Sequence, residues 1–158
     1  MLNPTGPERF RAALSAAGVA GEIVELPVSA RTAGEAAAAL GCTVAEIAKS
    51  LVFRRAEGSE PVLVVMSGSN RASQARVEAA LGTAIGKADA TFVRARTGYA
   101  IGGVPPFGHL RSLPALLDED LFGFDVVWAA AGGPHHVFPI APAVLQRVTG
   151  GRRLALRE

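Results

Sequence analysis

The sequence predicts a mixed α/β domain, and three observations carry that expectation. Short apolar runs rich in valine, PVLVVMS at 61–67 and DVVWAA at 125–130, have the length and composition of strands. Capping-box spacings at Thr32–Glu35 and Thr43–Glu46 open helices, and Gly18, Gly41 and Gly82 stand where helices would stop. The two kinds of segment alternate irregularly, which fits neither a helix bundle nor a doubly wound parallel sheet. The expected architecture is one compact domain over residues 1–158, a mixed central sheet of about six or more strands flanked by helices.

In order, Pro7 to Ala17 carries Phe10 and Leu14 at helical spacing, and Glu22 to Val28 alternates as a strand. Thr32 opens a second helix that ends at Gly41, and a short third helix covers Val44 to Ala48. Lys49 to Arg54 reads as a strand. Pro61 to Ser67 is apolar almost throughout, as befits a central strand covered on both faces. Gly68 to Asn70 is a turn, Ser73 to Leu81 a helix, and Ala88 to Arg96 another, with Asp89 near its cap. Strands are expected at Tyr99–Ile101, Arg111–Leu116, Asp125–Ala130 and His136–Ile140, with a polar turn or helical start at Leu117–Leu121. Pro142 suits the first turn of a last helix running to about Val148, and a basic tail, GGRRLALRE, follows.

Bulk properties narrow the function classes. With 49% hydrophobic and 19% charged residues the chain folds, and a net charge of +2 rules out a histone-like polyanion binder. Nucleic-acid contact would have to come from local clusters. Arg147, Arg152, Arg153 and Arg157 form one: either a phosphate track or a solvated tail. A single cysteine excludes an internal disulfide. The opening MLNPTGPERF has neither the basic start nor the apolar run of a signal peptide, and no apolar run approaches the roughly 20 residues that span a bilayer. The expectation is a cytoplasmic protein with no membrane association.

Several motifs fail on spacing. Gly82-Thr-Ala-Ile-Gly86-Lys87 is one residue short of a phosphate-binding loop, and Ala88 stands where Ser or Thr would hold magnesium. His109, His135, His136 and Cys42 match no zinc pattern, so no metal is expected. Cys42 precedes a helix, where a thiolate is favoured, but a lone cysteine is more often a small buried residue.

Two features remain. Thr97 to His109, TGYAIGGVPPFGH, holds six Gly or Pro among thirteen residues. Glycine lets a ligand approach the main chain and proline fixes its direction, so such a loop is either a tight structural turn or a rigid presenter of bare N–H groups. The second feature is Lys49. Of sixteen basic residues only Lys49 and Lys87 are lysine. Lysine is a compact point charge, unlike the wider arginine fork. On a strand, Lys49, Leu51 and Phe53 share one face and Ser50 and Val52 the other. Lys49 therefore sits at the edge of a core face or in a cleft, as a snorkelling surface lysine or a site residue.

AEIAKSLVF (45–53) and TGYAIGGVPPFGH (97–109) together resemble the two signature segments of the YbaK-type aminoacyl-tRNA deacylases, relatives of the editing domain of bacterial prolyl-tRNA synthetases. PVLVVMSGSNR (61–71) and AAAGGPHHVFPIAP (129–142) resemble the family's central strand with its turn and its later glycine-containing segment, so the likeness runs from about Thr32 to Val148. The resemblance implies a stand-alone trans-editing hydrolase that cleaves the aminoacyl ester of mischarged tRNA, with tRNA-Pro carrying a small amino acid as the expected substrate. Lys49 matches the family's essential lysine, and Gly102 and Gly103 its loop glycines. Pro105, Phe107 and Gly108 match the rest of that loop. His109 and Gly132 are looser matches, and His135 or His136 would line the amino-acid pocket. Ser50, Phe53, Ser67, Gly68, Ile101 and Val104 complete the expected binding surface. The partners implied are mischarged tRNA and a prolyl-tRNA synthetase; no cofactor is implied. An activated ester needs no strong nucleophile. Water assisted by the substrate's own hydroxyl or amine can attack, with loop N–H groups holding the oxyanion. The competing readings are a non-catalytic module of the same fold that binds tRNA or an aminoacyl-adenylate, and a structural or partner-binding domain.

Overall fold

The structure, a computed structural model, describes residues 3–158. Its five helices are α1 (Gly6–Ala16), α2 (Ala33–Leu40), α3 (Gln74–Leu81), α4 (Ala90–Thr97) and α5 (Pro142–Thr149). Its strands are β1 (Val24–Glu25), β2 (Ile47–Arg55), β3 (Pro61–Ser67), β4 (Ile85–Lys87), β5 (Ala115–Asp118), β6 (Val127–Ala130), β7 (His136–Ile140) and β8 (Arg152–Leu154). All eight form one mixed sheet in the order β1-β7-β6-β2-β3-β5-β8, with β4 attached to β2. Pairings β2/β3, β2/β4, β6/β7 and β1/β7 are antiparallel; β2/β6, β3/β5 and β5/β8 are parallel.

All seven residues of β3 are buried, so the valine run is the centre of the sheet. On one face Phe10, Leu14, Val93, Phe107 and Leu145, carried by α1, α4, α5 and the Gly/Pro loop, pack on Leu63, Val65, Ala129 and Phe138. On the other, α3 sets Val77 against Val62, Val64 and Met66, while α2 sets Ala36 and Ala37 against Ile47 and Trp128. The caps at Thr32, Ser73 and Asp89 and the stops at Gly41 and Gly82 are those the sequence signals; Thr5, Gly98 and Gly150 add to them. Thr5, Thr32, Ser73 and Asp89 each accept a hydrogen bond from a first-turn amide, and α2, α3, α4 and α5 stop at glycines in the left-handed region.

Some elements differ from the sequence-based expectation. The strand expected over Glu22–Val28 is two residues long, because β1 lies at the sheet edge and pairs only with Val137 and His136. The helix expected over Val44–Ala48 is one 3-10 turn, Val44–Glu46, because Ile47 and Ala48 already pair with β6. Tyr99–Ile101 is not a strand; Tyr99 is buried and its hydroxyl donates to the Gly108 carbonyl at 3.1 Å, closing the loop on itself. The strand expected over Arg111–Leu116 is shifted to Ala115–Asp118 by its parallel register with β3. Asp118, expected in a polar turn, is fully buried, and its carboxylate accepts from the Ser67 amide, the Asn70 Nδ2 and the Asp120 amide at 2.9–3.0 Å. Strands β4 and β8 were not anticipated. Each is three residues long, and each forms because a longer strand offers it an edge. The basic tail is tied down: Arg152 donates to the Ala80 carbonyl, Arg153 lies over the Phe122 ring, and Arg157 pairs with Asp120.

Among the described residues no helix is long and apolar enough to cross a membrane.

Candidate active site

The site begins with an interruption in the sheet. One edge of β2 is fully paired with β3, from Ala48 to Arg54. The other edge pairs with β6 only at Ile47 and Ala48, and with β4 only from Phe53 to Arg55. Residues 49–52 have no strand partner there. Alternation then fixes which groups face the gap. The Leu63 and Ser67 amides turn toward β5, donating to the Pro114 carbonyl and the Asp118 carboxylate. Val62, Val64 and Met66 therefore turn toward β2 and exchange bonds with Phe53, Leu51 and Lys49. The Ser50 N–H and C=O and the Val52 N–H point the opposite way, into the opening.

The Gly/Pro loop covers this opening. Two cavities, of about 450 and about 590 Å³, meet under it and share Ser50, Leu51, Ile101, Gly102 and Val104 as lining. The loop is held from several sides. The Gly103 amide donates to the Ala100 carbonyl and the Gly103 carbonyl accepts from the Gly132 amide, both at 3.0 Å. A Cβ on Gly103 would lie 3.0 Å from the Gly133 backbone. The Arg9 guanidinium donates to the Gly98 carbonyl and lies 4.7 Å from the Tyr99 ring centre. Phe107 is buried 5.1 Å from the Phe10 ring and 6.1 Å from the Phe138 ring. Gly102 has φ +91°, and a Cβ on it would lie 2.9 Å from Arg31 Cγ, so the Arg31 stem crosses the loop at this glycine. Among the described residues no backbone carbonyl accepts from the Gly102 or Val104 amide.

Lys49 lines the smaller cavity. Its strand neighbours on the same face divide between two clusters: Ile47 joins α2 and Trp128, while Leu51 and Phe53 join α3. Lys49 occupies the seam. Burial first, and the Arg71 charge second, hold its ammonium below the usual lysine range, against a smaller opposing pull from Asp118. Among the described residues it makes no salt bridge. The remaining wall is Arg31, Thr32, Trp128 and a set of alanines at 30, 33, 36, 48, 129 and 130. Among the described residues no Asp, Glu, His or Cys lines this cavity. The Ser50 Oγ is buried there without a hydrogen-bond partner.

Of the residues singled out in the sequence, Lys49, Ser50, Gly68, Ile101, Gly102 and Val104 meet around the smaller cavity, and Phe53 lines the larger one. The others lie elsewhere. Gly103, Pro105, Phe107 and Gly108 build the loop from behind. His109 Nε2 bonds the Pro105 carbonyl at 2.7 Å, and burial pushes its pKa down. Ser67 pairs with Ala48 on the opposite face, its hydroxyl donating to the Ala45 carbonyl. Gly132 and His136 line a separate space of about 570 Å³ behind the loop, next to α1. The Cys42 thiol is pushed up by burial and by Glu46, which disfavours a thiolate. Among the described residues no three His, Cys, Asp or Glu side chains come together.

Sequence reasoning missed Arg31, Thr32 and the α2 alanines, Trp128, and Arg71 and Lys87 at the larger cavity. The capping box at Thr32 marks where α2 begins but not that its first turn faces Lys49. The rest carry no local signal.

As it stands, the arrangement offers the Lys49 ammonium, with Arg31 in the wall beside it, free main-chain donors and a small, largely apolar chamber. That combination stabilises an oxyanion on a carbonyl carbon, with the base left to the ligand.

Comparison with known proteins was made against this geometry. A family model described as the aminoacyl-tRNA editing domain matches residues 28–148, a span that holds β2, β4, β6 and the covering loop. The protein YwhH of Bacillus subtilis (strain 168), itself uncharacterised, is 31% identical over 124 residues, 78% of each chain. Among solved structures, a candidate trans-editing enzyme for prolyl tRNA synthetase superposes with a TM-score of 0.91 at 43% identity, covering 100% of this chain and 99% of that one. The hypothetical protein APE2540 superposes with a TM-score of 0.88 at 26% identity, covering 96% of this chain and 100% of that one.

Proposed function

Since the chain belongs to the aminoacyl-tRNA editing domain family, we propose that it is a free-standing deacylase that hydrolyses the ester of mischarged tRNA, with tRNA-Pro bearing a small amino acid as substrate. The observation that carries this reading is the cavity around Lys49. It joins a cation and unpaired main-chain donors and holds no acid, imidazole or thiol. A site of that kind suits a substrate that is already activated and brings its own base.

The ester carbonyl lies where the two cavities meet. A water attacks its carbon and gives up a proton, either to the neutral α-amine of the substrate or through the vicinal ribose hydroxyl, which takes that proton as it passes its own to the leaving ribose oxygen. Negative charge develops on the carbonyl oxygen, opposite the amides of Ser50, Gly102 and Val104. The C–O bond to the ribose then breaks, and the ribose oxygen leaves with the proton. Lys49 offsets the developing charge, and partial burial together with the Arg71 charge holds its pKa below the usual lysine range. The amino-acid side chain occupies the alanine-walled chamber. Exclusion by size separates neighbouring side chains by about 1–3 kcal/mol per methylene, so discrimination is graded rather than absolute.

The test is single-turnover deacylation of tRNA-Pro charged with Ala, Cys, Ser, Thr or Pro, by the parent protein and by Lys49→Ala. The expected result is turnover of one or two of the small amino acids and sparing of proline. A charge-assisted contact of about 1.5–3 kcal/mol predicts a loss on the order of 10- to 100-fold in the variant. Binding of every tRNA with turnover of none would point to the non-catalytic module instead.

A further inference from the structure

The covering loop is held at its two adjacent glycines by different means. At Gly103 the support is backbone: the Gly132 amide donates to its carbonyl, and the Gly133 backbone lies 3.0 Å from where a Cβ would stand. At Gly102 the support is a side chain. An added Cβ there would lie 2.9 Å from Arg31 Cγ, 3.2 Å from Cβ and 3.5 Å from Cδ, so three consecutive carbons of the stem lie flat over the glycine. Arg31 holds that course because its backbone is fixed on both sides. The Ala30 amide donates to the Pro134 carbonyl at 2.6 Å, and the Thr32 hydroxyl accepts from the Glu35 amide to begin α2. The contacts close into a circuit. The 132–134 turn grips Gly103 and the residue before Arg31, and Arg31 returns to Gly102. Arg31 is exposed and makes no salt bridge among the described residues, so it is the stem, not the charge, that has a place in the fold.

We propose that Arg31 is a positioning residue for ester hydrolysis, a strap whose aliphatic stem keeps the Gly102 and Val104 amides aimed at the ester oxygen. The inference rests on the deacylase reading. Glycine populates both signs of φ readily, and Gly102 stands at φ +91°. Among the described residues no backbone carbonyl accepts from the Gly102 or Val104 amide, so no main-chain bond of their own fixes the direction of these donors. The stem pressed on Gly102 selects one conformation there. An oxyanion forms only as the transition state is approached, so misdirected donors cost rate rather than affinity.

The experiment compares the parent, Arg31→Ala and Arg31→Met in single-turnover deacylation of charged tRNA, beside backbone 15N relaxation of each free protein. Arg31→Ala takes two methylenes off Gly102 and should lower the plateau rate about 5- to 10-fold, the worth of two partly covered methylenes. Arg31→Met keeps a stem without the charge and should recover the parent plateau to within about threefold. The tRNA concentration giving half the plateau should match between the two variants, which lose the same charge. The order parameters of Gly102, Gly103 and Val104 should fall in Arg31→Ala and keep rigid values in the parent and Arg31→Met. The loss caused by Gly102→Ala should shrink in the Arg31→Ala background, where the clashing Cγ is gone. A plateau for Arg31→Ala within about twofold of the parent overturns the proposal. So does a fall in Arg31→Met as deep as in Arg31→Ala, which assigns the effect to charge. Lower loop order in Arg31→Ala with no turnover of any charged tRNA by the parent refutes the deacylase reading and leaves the strap standing. Turnover by the parent with unchanged loop order in Arg31→Ala does the reverse.

Discussion

Replacing Gly102 by alanine tests the covering loop most directly. Gly102 holds φ +91°, a region that costs an L-residue roughly 1–2 kcal/mol. The new methyl would also lie 2.9 Å from Arg31 Cγ and 3.2 Å from Arg31 Cβ, close to that residue's own backbone. Arg31 cannot relieve this by rotating its tip, so the loop or the start of α2 must give by several tenths of an ångström. Both carry walls of the Lys49 cavity. A displacement of about 1 Å at a reacting centre costs on the order of 100-fold in rate. The stability cost is about 1–2 kcal/mol, or a melting midpoint lower by roughly 2–8 °C. Gly58 is the control. It has φ +77° and nothing within 4 Å of an added Cβ, in the turn between β2 and β3. Gly58→Ala should melt earlier by a similar amount and hydrolyse charged tRNA at the parent rate. The assay is single-turnover deacylation beside a thermal melt of both variants. If Gly102→Ala keeps a rate within about threefold of Gly58→Ala, the loop does not position the ester and the site is misassigned.

Four further outcomes are expected. Lys49 is less basic folded than unfolded, so its charge opposes folding below the folded pKa, and stability rises as pH climbs from the folded to the unfolded value. Lys49→Met should therefore raise the melting midpoint at neutral pH while slowing turnover on the order of 10- to 100-fold. Arg71→Ala, which removes a repelling charge, should move the alkaline fall in activity to higher pH. Phe107→Ala removes one ring of the mutually packed Phe10, Phe107 and Phe138 trio and should cost about 3–5 kcal/mol in denaturant unfolding. Asp118→Asn sets an amide against donors that now meet a carboxylate, and should cost about 1–3 kcal/mol by the same measure.

How much of this was legible in the sequence depended on how local each feature is. The helix caps were readable because Thr32 with Glu35, or Ser73 before α3, act within one turn. Lys49 was readable because one of only two lysines among arginines sat on a strand whose other same-face residues are apolar. The loop announced itself by composition, but not which of its residues face the ligand. Gly103 spends its amide on Ala100, and Phe107 belongs to the core. Ser67 was counted with the binding surface but faces away from the Lys49 cavity, because a strand apolar on both faces gives no period to read and only its register with Ala48 fixes the face. The short strands β4 and β8 owe their existence to the edges of β2 and β5. Arg31 meets Gly102 from about seventy positions away, with nothing in either segment to pair them.

The gap along β2 has a consequence for how such a site can be dissected. Ser50 and Val52 contribute through N–H groups that every amino acid except proline carries. A side-chain scan of these positions leaves those donors in place, so an alanine survey would assign the site to Lys49 and its neighbours and pass over half of it. Only chemistry on the main chain itself, an ester in place of the amide at Ser50 or Val52, removes one donor at a time. The same property loosens the constraint on sequence. What the opening requires of these two positions is main-chain geometry, kept as long as β6 still stops after Ala130 and β4 still ends at Lys87.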